Sequence, residues 1–149
     1  MIDSFKLSEC KTILPTIISI DSNEIDFKWT EKQWYESLLS NSELRLIISR
    51  HDETSQITGF ALILCSEIER LQHILKIAVV KKYRNSGVGS HLLEKAILDR
   101  PNWSLYLEVA SSNTTAIEFY KKLKFKVISV KKHFYSNGEN AFVMMRAPS

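Results

Sequence analysis

The chain has 149 residues, of which 44% are hydrophobic and 25% are charged. These proportions are ordinary for a globular protein and argue against disorder, and the length fits one domain with a substantial core. The net charge of +3 permits an anionic cofactor or a nearby RNA but establishes neither. No apolar run reaches the roughly 18 residues of a membrane span, and residues 1–5 carry no secretory pattern, so we expect a cytoplasmic protein.

The first half of the chain predicts one strand, two helices and then three strands. Pro15 suits the first turn of a helix that begins near Leu14, and residues 30–33 form a capping box ahead of the second helix. The three later strands are joined by short polar connectors, which favours antiparallel pairing. The predicted strands are residues 1–7, 43–51, 57–67 and 71–80.

The second half returns to a helical period, in which Val88, Leu92, Leu93, Ala96 and Ile97 share one face. Further along, the pattern predicts a strand, a helix and a closing hairpin. Their residues are 105–110, 114–123, 125–130 and 141–146. We expect an α+β fold with a mixed, mostly antiparallel sheet of about seven strands, helices on both faces, and one domain over residues 1–149. Parallel pairing should occur in the strand–helix–strand unit of residues 75–110.

Cysteine and histidine spacing indicates no metal site. Cys10 and Cys65 cannot make a four-ligand zinc site without histidine help. The four histidines share no metal-ligand spacing, so we expect them to be ordinary surface or core residues. They are His51, His73, His91 and His133.

A turn between the fourth strand and the third helix carries two of the four glycines in the chain. Residues 84–89 read Arg-Asn-Ser-Gly-Val-Gly. Glycine lets consecutive N–H groups face an anion, and the helix N-terminus adds unpaired donors and partial positive charge. This turn is therefore a candidate pyrophosphate-binding loop; the alternative is a glycine-rich turn that only starts a helix.

Three phosphate-binding patterns compete for this loop. A nucleotide P-loop needs Gly-Lys-Ser/Thr, which the sequence lacks, and a dinucleotide fingerprint needs a third glycine where Leu92 stands. The Arg-x-x-Gly-x-Gly turn of acetyl-CoA-dependent acyltransferases matches Arg84, Gly87 and Gly89 in full.

A second motif follows the loop, and with it the chain resembles the GNAT acetyltransferase superfamily. Its residues are Leu107, Glu108, Val109, Asn113, Ala116, Phe119, Tyr120 and Phe125. Residues 27–30, 134–135 and 138–141 are further similar to the Pro-Trp-Ser and C-terminal signatures of the RimI-like N-terminal acetyltransferases of ribosomal proteins. The sequence departs from that pattern at four positions, which are Lys28, Ala110, Lys124 and Asn140. Lys124 replaces a glycine, and a left-handed helix cap there would cost about 1 kcal/mol or less.

The resemblance implies a GNAT fold and direct attack of a free amine on the thioester of acetyl-CoA. Glu108 is then the base, Tyr120 the acid toward the CoA thiolate, and the Val79 N–H the donor to the oxyanion. Glu108 could instead be a solvated strand residue, Tyr120 a core aromatic, and Asn113 only a helix cap. The residues expected to contact acetyl-CoA are Ile77, Ala78, Val79, Arg84, Asn85, Ser86, Gly87, Val88, Gly89, Ser90 and Asn113.

The resemblance also limits the acceptor. Trp29 and Tyr135 are expected in the walls of an acceptor groove, although packing is an alternative for Trp29. We expect the acceptor to be a protein N-terminus, such as that of a ribosomal protein with a small first residue, with no direct nucleic-acid or membrane partner. A small amine such as a polyamine or an antibiotic is the second hypothesis. A catalytically silent acyl-CoA sensor is the third, and the presence of both Glu108 and Tyr120 weighs against it.

Overall fold

A computed structural model of the chain describes residues 1–25, 27–40 and 43–148, except for the side chain of residue 40. Seven strands form one sheet in the order β1-β2-β3-β4-β5-β7-β6. The strands are β1 Ile2–Lys6, β2 Leu44–Arg50, β3 Ile57–Ser66, β4 Leu71–Val79, β5 Ser104–Ala110, β6 Lys126–Lys131 and β7 Ala141–Arg146. All neighbouring strands are antiparallel except β4 and β5. The predicted mixed, mostly antiparallel seven-stranded sheet is confirmed.

Helices cover both faces of the sheet, as predicted. They are α1 Leu14–Glu24, α2 Glu31–Ser40, α3 Val88–Asp99 and α4 Thr114–Lys122. Because side chains alternate along a strand, β2 contributes Ile47 to the core beneath α3 and α4, and Leu46 and Ile48 to the core beneath α1 and α2. No helix in the described part of the chain has the length and apolar character needed to cross a bilayer.

Helix starts are set by local side-chain chemistry. The predicted capping box of α2 is confirmed, because Thr30 Oγ1 accepts from the Gln33 N–H at 3.1 Å and Gln33 Oε1 accepts from the Thr30 N–H at 2.7 Å. Asn113 Oδ1 accepts from the Ala116 N–H at 3.2 Å and so caps α4. Both caps fix where a helix begins relative to the strand beside it.

The parallel pair β4–β5 is short, and this positions the site. Only residues 71–73 pair with residues 104–106, although both strands continue. In β4 the register against β3 skips Leu75, because Leu62 lies opposite Lys76 while Ile63 lies opposite Ile74. Such a bulge bends a strand. β4 and β5 therefore separate beyond their first residues, and an opening is left between them.

Candidate active site

A cavity of about 760 Å³ lies in the opening between β4 and β5. Its walls come from the second half of both strands, from the first two turns of α4, and from the segments that follow α1 and precede β7. Five residues predicted from the sequence line it. Three of them are Glu108 on β5, Asn113 at the N-cap of α4 and Tyr120 in its second turn. Ile77 and Tyr135 also line it.

One edge of β4 faces this opening with its backbone groups. The Val80 N–H donates to the Thr58 carbonyl of β3 at 2.9 Å. Successive amides along a strand point to opposite sides, so the Val79 N–H points away from β3, toward the side where pairing with β5 has ended. Val79 thus offers a backbone donor at this edge, while the Ala78 side chain is buried in the core.

The glycine-bearing loop lies between β4 and α3. A single 3₁₀ turn at Lys81–Tyr83 leads into it, and Gly87 precedes the helix with φ = 87°. The amides of residues 85–90 donate to no backbone carbonyl within the described part of the chain. Their N–H groups are therefore available to an anion at the positive end of the α3 dipole. Asn85 also has a positive φ, 61°, which turns its amide relative to its neighbours.

The two glycines of the loop have different roles. At Gly87 the left-handed backbone disfavours any side chain, whereas an added Cβ would make only ordinary van der Waals contact, 3.5 Å from the His91 ring. At Gly89 the restriction is contact, because a Cβ there would lie 3.2 Å from Cζ of Phe119 on α4. Gly89 thereby allows the start of α3 to approach α4, which places the loop beside the cavity.

Arg84 joins the loop to α1. Its Nε donates to the Val79 carbonyl at 3.1 Å, and its Nη2 forms an ion pair with Glu24 at the end of α1. Glu24 also lines the cavity. Arg84, which the sequence predicts to bind phosphate, therefore connects the loop with the edge of β4 and with the C-terminal end of α1.

Glu108 has both carboxylate oxygens occupied. Oε2 lies 2.7 Å from His73 Nε2, and Oε1 accepts from Lys131 Nζ at 2.9 Å. Burial by itself would raise the pKa of Glu108, but the hydrogen bonds from His73 and Lys131 outweigh it and lower the pKa to about 2. The carboxylate is therefore an anion throughout the neutral pH range, and it is a weak base while both donors remain.

The sequence did not single out His73 or Lys131 as site residues. His73 lies opposite Tyr106 in the short parallel pair, and its ring stacks on the Tyr106 ring with centroids 4.1 Å apart. Tyr106 stands two residues before Glu108 on β5. The register of β4 against β5 was the missing information. With it, a histidine and a glutamate on the same face of adjacent strands would have been recognised as neighbours.

Tyr120 is both a core residue and a cavity residue. Its ring contacts Phe119 and Phe125, and the residue is only 7% exposed. The hydroxyl makes no hydrogen bond to another residue that the structure describes, and it is not a fully enclosed atom, so it opens to the cavity. Burial, with a smaller contribution from Tyr135, raises the pKa of Tyr120 far above its usual value, so the phenol stays protonated.

The predicted acceptor residues lie in different surroundings. Tyr135 lines the cavity, and its ring stacks on Phe27 with centroids 4.3 Å apart. Trp29 is not among the residues around the cavity; its ring packs on Trp34 at 4.9 Å. The contact between Phe27 and Tyr135 joins the segment that follows α1 to the one that precedes β7. We call these two residues the aromatic pair.

The groups that line the cavity include the Glu108 carboxylate and the Tyr120 phenol, and the β4 edge offers the Val79 N–H. They suit acyl transfer to an amine, with a neighbouring loop suited to a diphosphate. Within the described residues, no three His, Cys, Asp or Glu side chains are grouped closely enough to hold a metal ion.

Comparison with known proteins agrees with this chemistry. The family profile described as "Acetyltransferase (GNAT) domain" matches residues 43–127. The match takes in the β4 edge, the glycine-bearing loop, Glu108 and Tyr120, and it covers more than half of the chain. The chain belongs to the GNAT acetyltransferase family.

Individual relatives refine the comparison. An N-alpha-acetyltransferase of Sulfurisphaera tokodaii is 45% identical over 76 residues, which are 48% of this chain and 46% of that protein. The ribosomal protein bS18-alanine N-acetyltransferase of Escherichia coli K12 is 28% identical over 142 residues, 92% of each chain. The crystal structure of the ribosomal-protein-S18-alanine N-acetyltransferase from Escherichia coli matches with a TM-score of 0.81 and 26% identity, over 97% of this chain and 92% of that one.

These comparisons confirm the resemblance to the RimI-like branch as a similarity over nearly the whole chain. The chain spans about half the length of the curated N-alpha-acetyltransferases that it matches.

Proposed function

We propose that this protein transfers the acetyl group of acetyl-CoA to the N-terminal α-amine of a protein, by direct attack of the amine on the thioester. One observation carries the proposal. A single cavity is lined by a buried carboxylate and a buried phenol, and it is joined through the Arg84–Glu24 ion pair to a loop whose amides are free to hold a diphosphate.

Acetyl-CoA binds mainly through the backbone in this proposal. The amides of residues 85–90 hold the diphosphate, with Arg84 adding charge, and the pantetheine arm lies along the exposed edge of β4 in the manner of an added strand. Asn113 keeps its capping role and contacts the arm with its amide. The Val79 N–H then donates to the oxygen that becomes negative as the amine attacks.

Glu108 removes a proton from the acceptor ammonium through a water molecule. An α-ammonium has a reference pKa near 8, and transfer to a carboxylate of pKa about 2 is unfavourable by roughly six powers of ten. Lys131 is a primary ammonium with a half-exposed side chain. We infer that the water joining the acceptor to Oε1 takes the place of Lys131 there; because a neutral water is a weaker donor than an ammonium, the pKa of Glu108 rises toward its ordinary value. His73 remains on Oε2 and holds the carboxylate in place.

Tyr120 stabilises the leaving group. As the C–S bond breaks, the electron pair goes to sulfur and the new amide nitrogen releases its second proton to solvent, while the protonated phenol donates a hydrogen bond to the thiolate. Because the pKa of Tyr120 is raised by burial, the hydroxyl keeps its proton before the reaction and competes little with the sulfur for negative charge.

A peptide acceptor is favoured over a small amine by the segments that border the site and by the relatives. The cavity holds about 760 Å³, and segments from two separate parts of the chain border it at the aromatic pair. The ribosomal protein bS18-alanine N-acetyltransferase of Escherichia coli is similar over 92% of the chain, and its crystal structure over 97%. Specificity for a ribosomal protein and a cytoplasmic location belong to this proposal as predictions.

The test is a panel of short peptides that differ in their first two residues, assayed for CoA release beside spermidine and an aminoglycoside. We expect peptides with a small first residue to be acetylated on the α-amine, as located by mass spectrometry, and blocked N-acetyl peptides to be inert. Faster turnover of either small amine would replace the peptide acceptor by a small molecule. Acetyl-CoA binding with no turnover of any amine would favour a sensor.

A further inference from the structure

A buried lysine stands on β4 beside the cavity. Lys76 follows the bulge at Leu75, lines the cavity, and has a side chain only 4% exposed. Burial lowers the pKa of Lys76, and the hydrogen bond from its ammonium to Asp21 acts in the opposite direction. A lysine in such a place is destabilising unless its donors are used, so its partners indicate what it does.

Asp21 on α1 is its counterion. The carboxylate is fully buried, and its Oδ1 accepts from Lys76 Nζ at 2.9 Å. Its Oδ2 accepts from the Trp29 N–H at 3.0 Å and from Trp34 Nε1 at 2.8 Å. The Asp21 carboxylate on α1 therefore contacts Lys76 on β4, Trp34 on α2 and Trp29, which precedes the cap of α2.

The second partner of Lys76 lies in the segment between α1 and α2. Its ammonium donates to the Phe27 carbonyl at 3.2 Å and lies 5.2 Å from the Trp29 ring centroid. The Phe27 ring in turn stacks on the ring of Tyr135, with centroids 4.3 Å apart. A continuous series of contacts thus runs from the β4 wall of the cavity to the aromatic pair.

We propose that Lys76 and Asp21 are positioning residues for the acceptor, because they hold residues 27–29 against β4 and thereby set where the aromatic pair stands over the cavity. The inference rests on the proposed function for its acceptor, but its structural half concerns this chain alone. Neither residue touches the reacting atoms in this scheme. Their effect is on how tightly the acceptor binds.

An ordinary packing role does not account for these contacts. A buried ion pair is seldom better for stability than apolar residues of the same volume. A pair kept for packing alone would need no donor to the Phe27 carbonyl, which lies in the segment bordering the cavity. Lys76 Nζ donates a second hydrogen bond to this segment, and that contact indicates a role in positioning the acceptor.

The test removes both charges together. In the double variant Lys76→Met, Asp21→Asn, the asparagine oxygen still accepts from the two tryptophan N–H groups, so no buried charge is left unpaired. We expect the KM for the acceptor to rise about tenfold, while kcat and the Kd for acetyl-CoA each change less than about threefold. The acceptor used is whichever amine the unaltered protein acetylates.

The matched control makes the same chemical change elsewhere. Lys95 and Asp99 form an ion pair at 2.7 Å on α3, so Lys95→Met, Asp99→Asn tests loss of an ion pair outside this cavity. An acceptor KM that rises no more in the Lys76, Asp21 variant than in the control would overturn the proposal. A fall in melting temperature alone, with unchanged KM, would do the same.

A second readout needs no activity. Hydrogen exchange of the Trp29 amide and the Trp34 indole N–H, followed by NMR, should quicken at least about tenfold in the Lys76, Asp21 variant and not in the control. The neutral asparagine oxygen accepts more weakly than the carboxylate, and the Lys76 donor to the Phe27 carbonyl is lost. Unchanged exchange would show that the pair does not hold the segment. If the unaltered protein acetylates no amine, the proposed function fails, and this exchange measurement still decides whether the pair holds residues 27–29.

Discussion

The cofactor side and the acceptor side of the cavity are built in different ways. On the cofactor side, the groups that matter are backbone amides, and their directions follow from a strand edge, two glycines and a helix start. On the acceptor side they are side chains from four separate parts of the chain, which meet at Glu108 and at Lys76. A site made of backbone amides keeps its donors when many of its side chains are replaced. A network of side chains loses a contact whenever one member is replaced. The two sides should therefore respond to substitution by losing different properties.

The largest effect is expected on the cofactor side, from Gly87→Glu. This substitution puts a side chain on a left-handed residue and a carboxylate beside the amides that are proposed to hold the diphosphate. We expect acetyl-CoA binding to be lost in calorimetry. Gly138→Glu is the matched control, because Gly138 has a similar φ of 84° and a Cβ added there would meet no atom within 4 Å. Near-normal affinity of the Gly87 variant would remove the loop from the diphosphate site.

The second largest effect is expected on the acceptor side, at Glu108. Glu108→Gln keeps the size of the side chain but removes the base, so we expect kcat to fall about 100-fold with little change in the Kd for acetyl-CoA. The exposed Glu118 on α4 supplies the control, since Glu118→Gln changes the same chemical group away from the cavity. Turnover that stays unaltered between pH 6 and pH 9 would exclude Glu108 as the base.

This contrast also explains what could be predicted from the sequence. The strands, the capping box of α2 and the glycine loop are local features, readable from a few consecutive residues. The contact of His73 with Glu108 joins residues 35 apart, and that of Lys76 with Asp21 joins residues 55 apart. The first depends on strand register and the second also on the bulge at Leu75, and a shift of one residue would send these side chains to the other face. Glu108 and Tyr120 were foreseen only because the chain resembles a family.

A smaller effect should come from Lys131→Met. One of the donors that hold the pKa of Glu108 near 2 is then lost, so that pKa should move upward, toward its ordinary value. The acid side of the kcat/KM profile should shift to higher pH in the same direction, because a base of higher pKa is protonated at higher pH. Titration of the Glu108 carboxyl carbon by NMR measures the change directly. Lys132→Met is the control. An equal shift of the Glu108 pKa in both variants would show that the change in net charge causes it, and not the loss of the Lys131 hydrogen bond.

The smallest effect concerns stability alone, at the end of α4. Lys124 has φ = 69°, and the left-handed cap foreseen for this position is present. The Phe125 N–H donates to the Tyr120 carbonyl at 3.1 Å and the Lys124 N–H to the Lys121 carbonyl at 2.9 Å, which together form a Schellman motif. Lys124→Gly should relieve the strain and raise the free energy of unfolding by about 0.5–1 kcal/mol.

Denaturant unfolding measures that change, and the melting temperature should rise by about 2–4 °C per kcal/mol. Lys122→Gly, two residues earlier, lies inside the last turn of α4 and should act with the opposite sign, because glycine there weakens the helix by about 1 kcal/mol. Equal destabilisation by both glycines would show that the left-handed lysine carries no strain. Since α4 supplies Tyr120 to the cavity but its end lies outside it, turnover of the Lys124 variant should remain that of the unaltered protein.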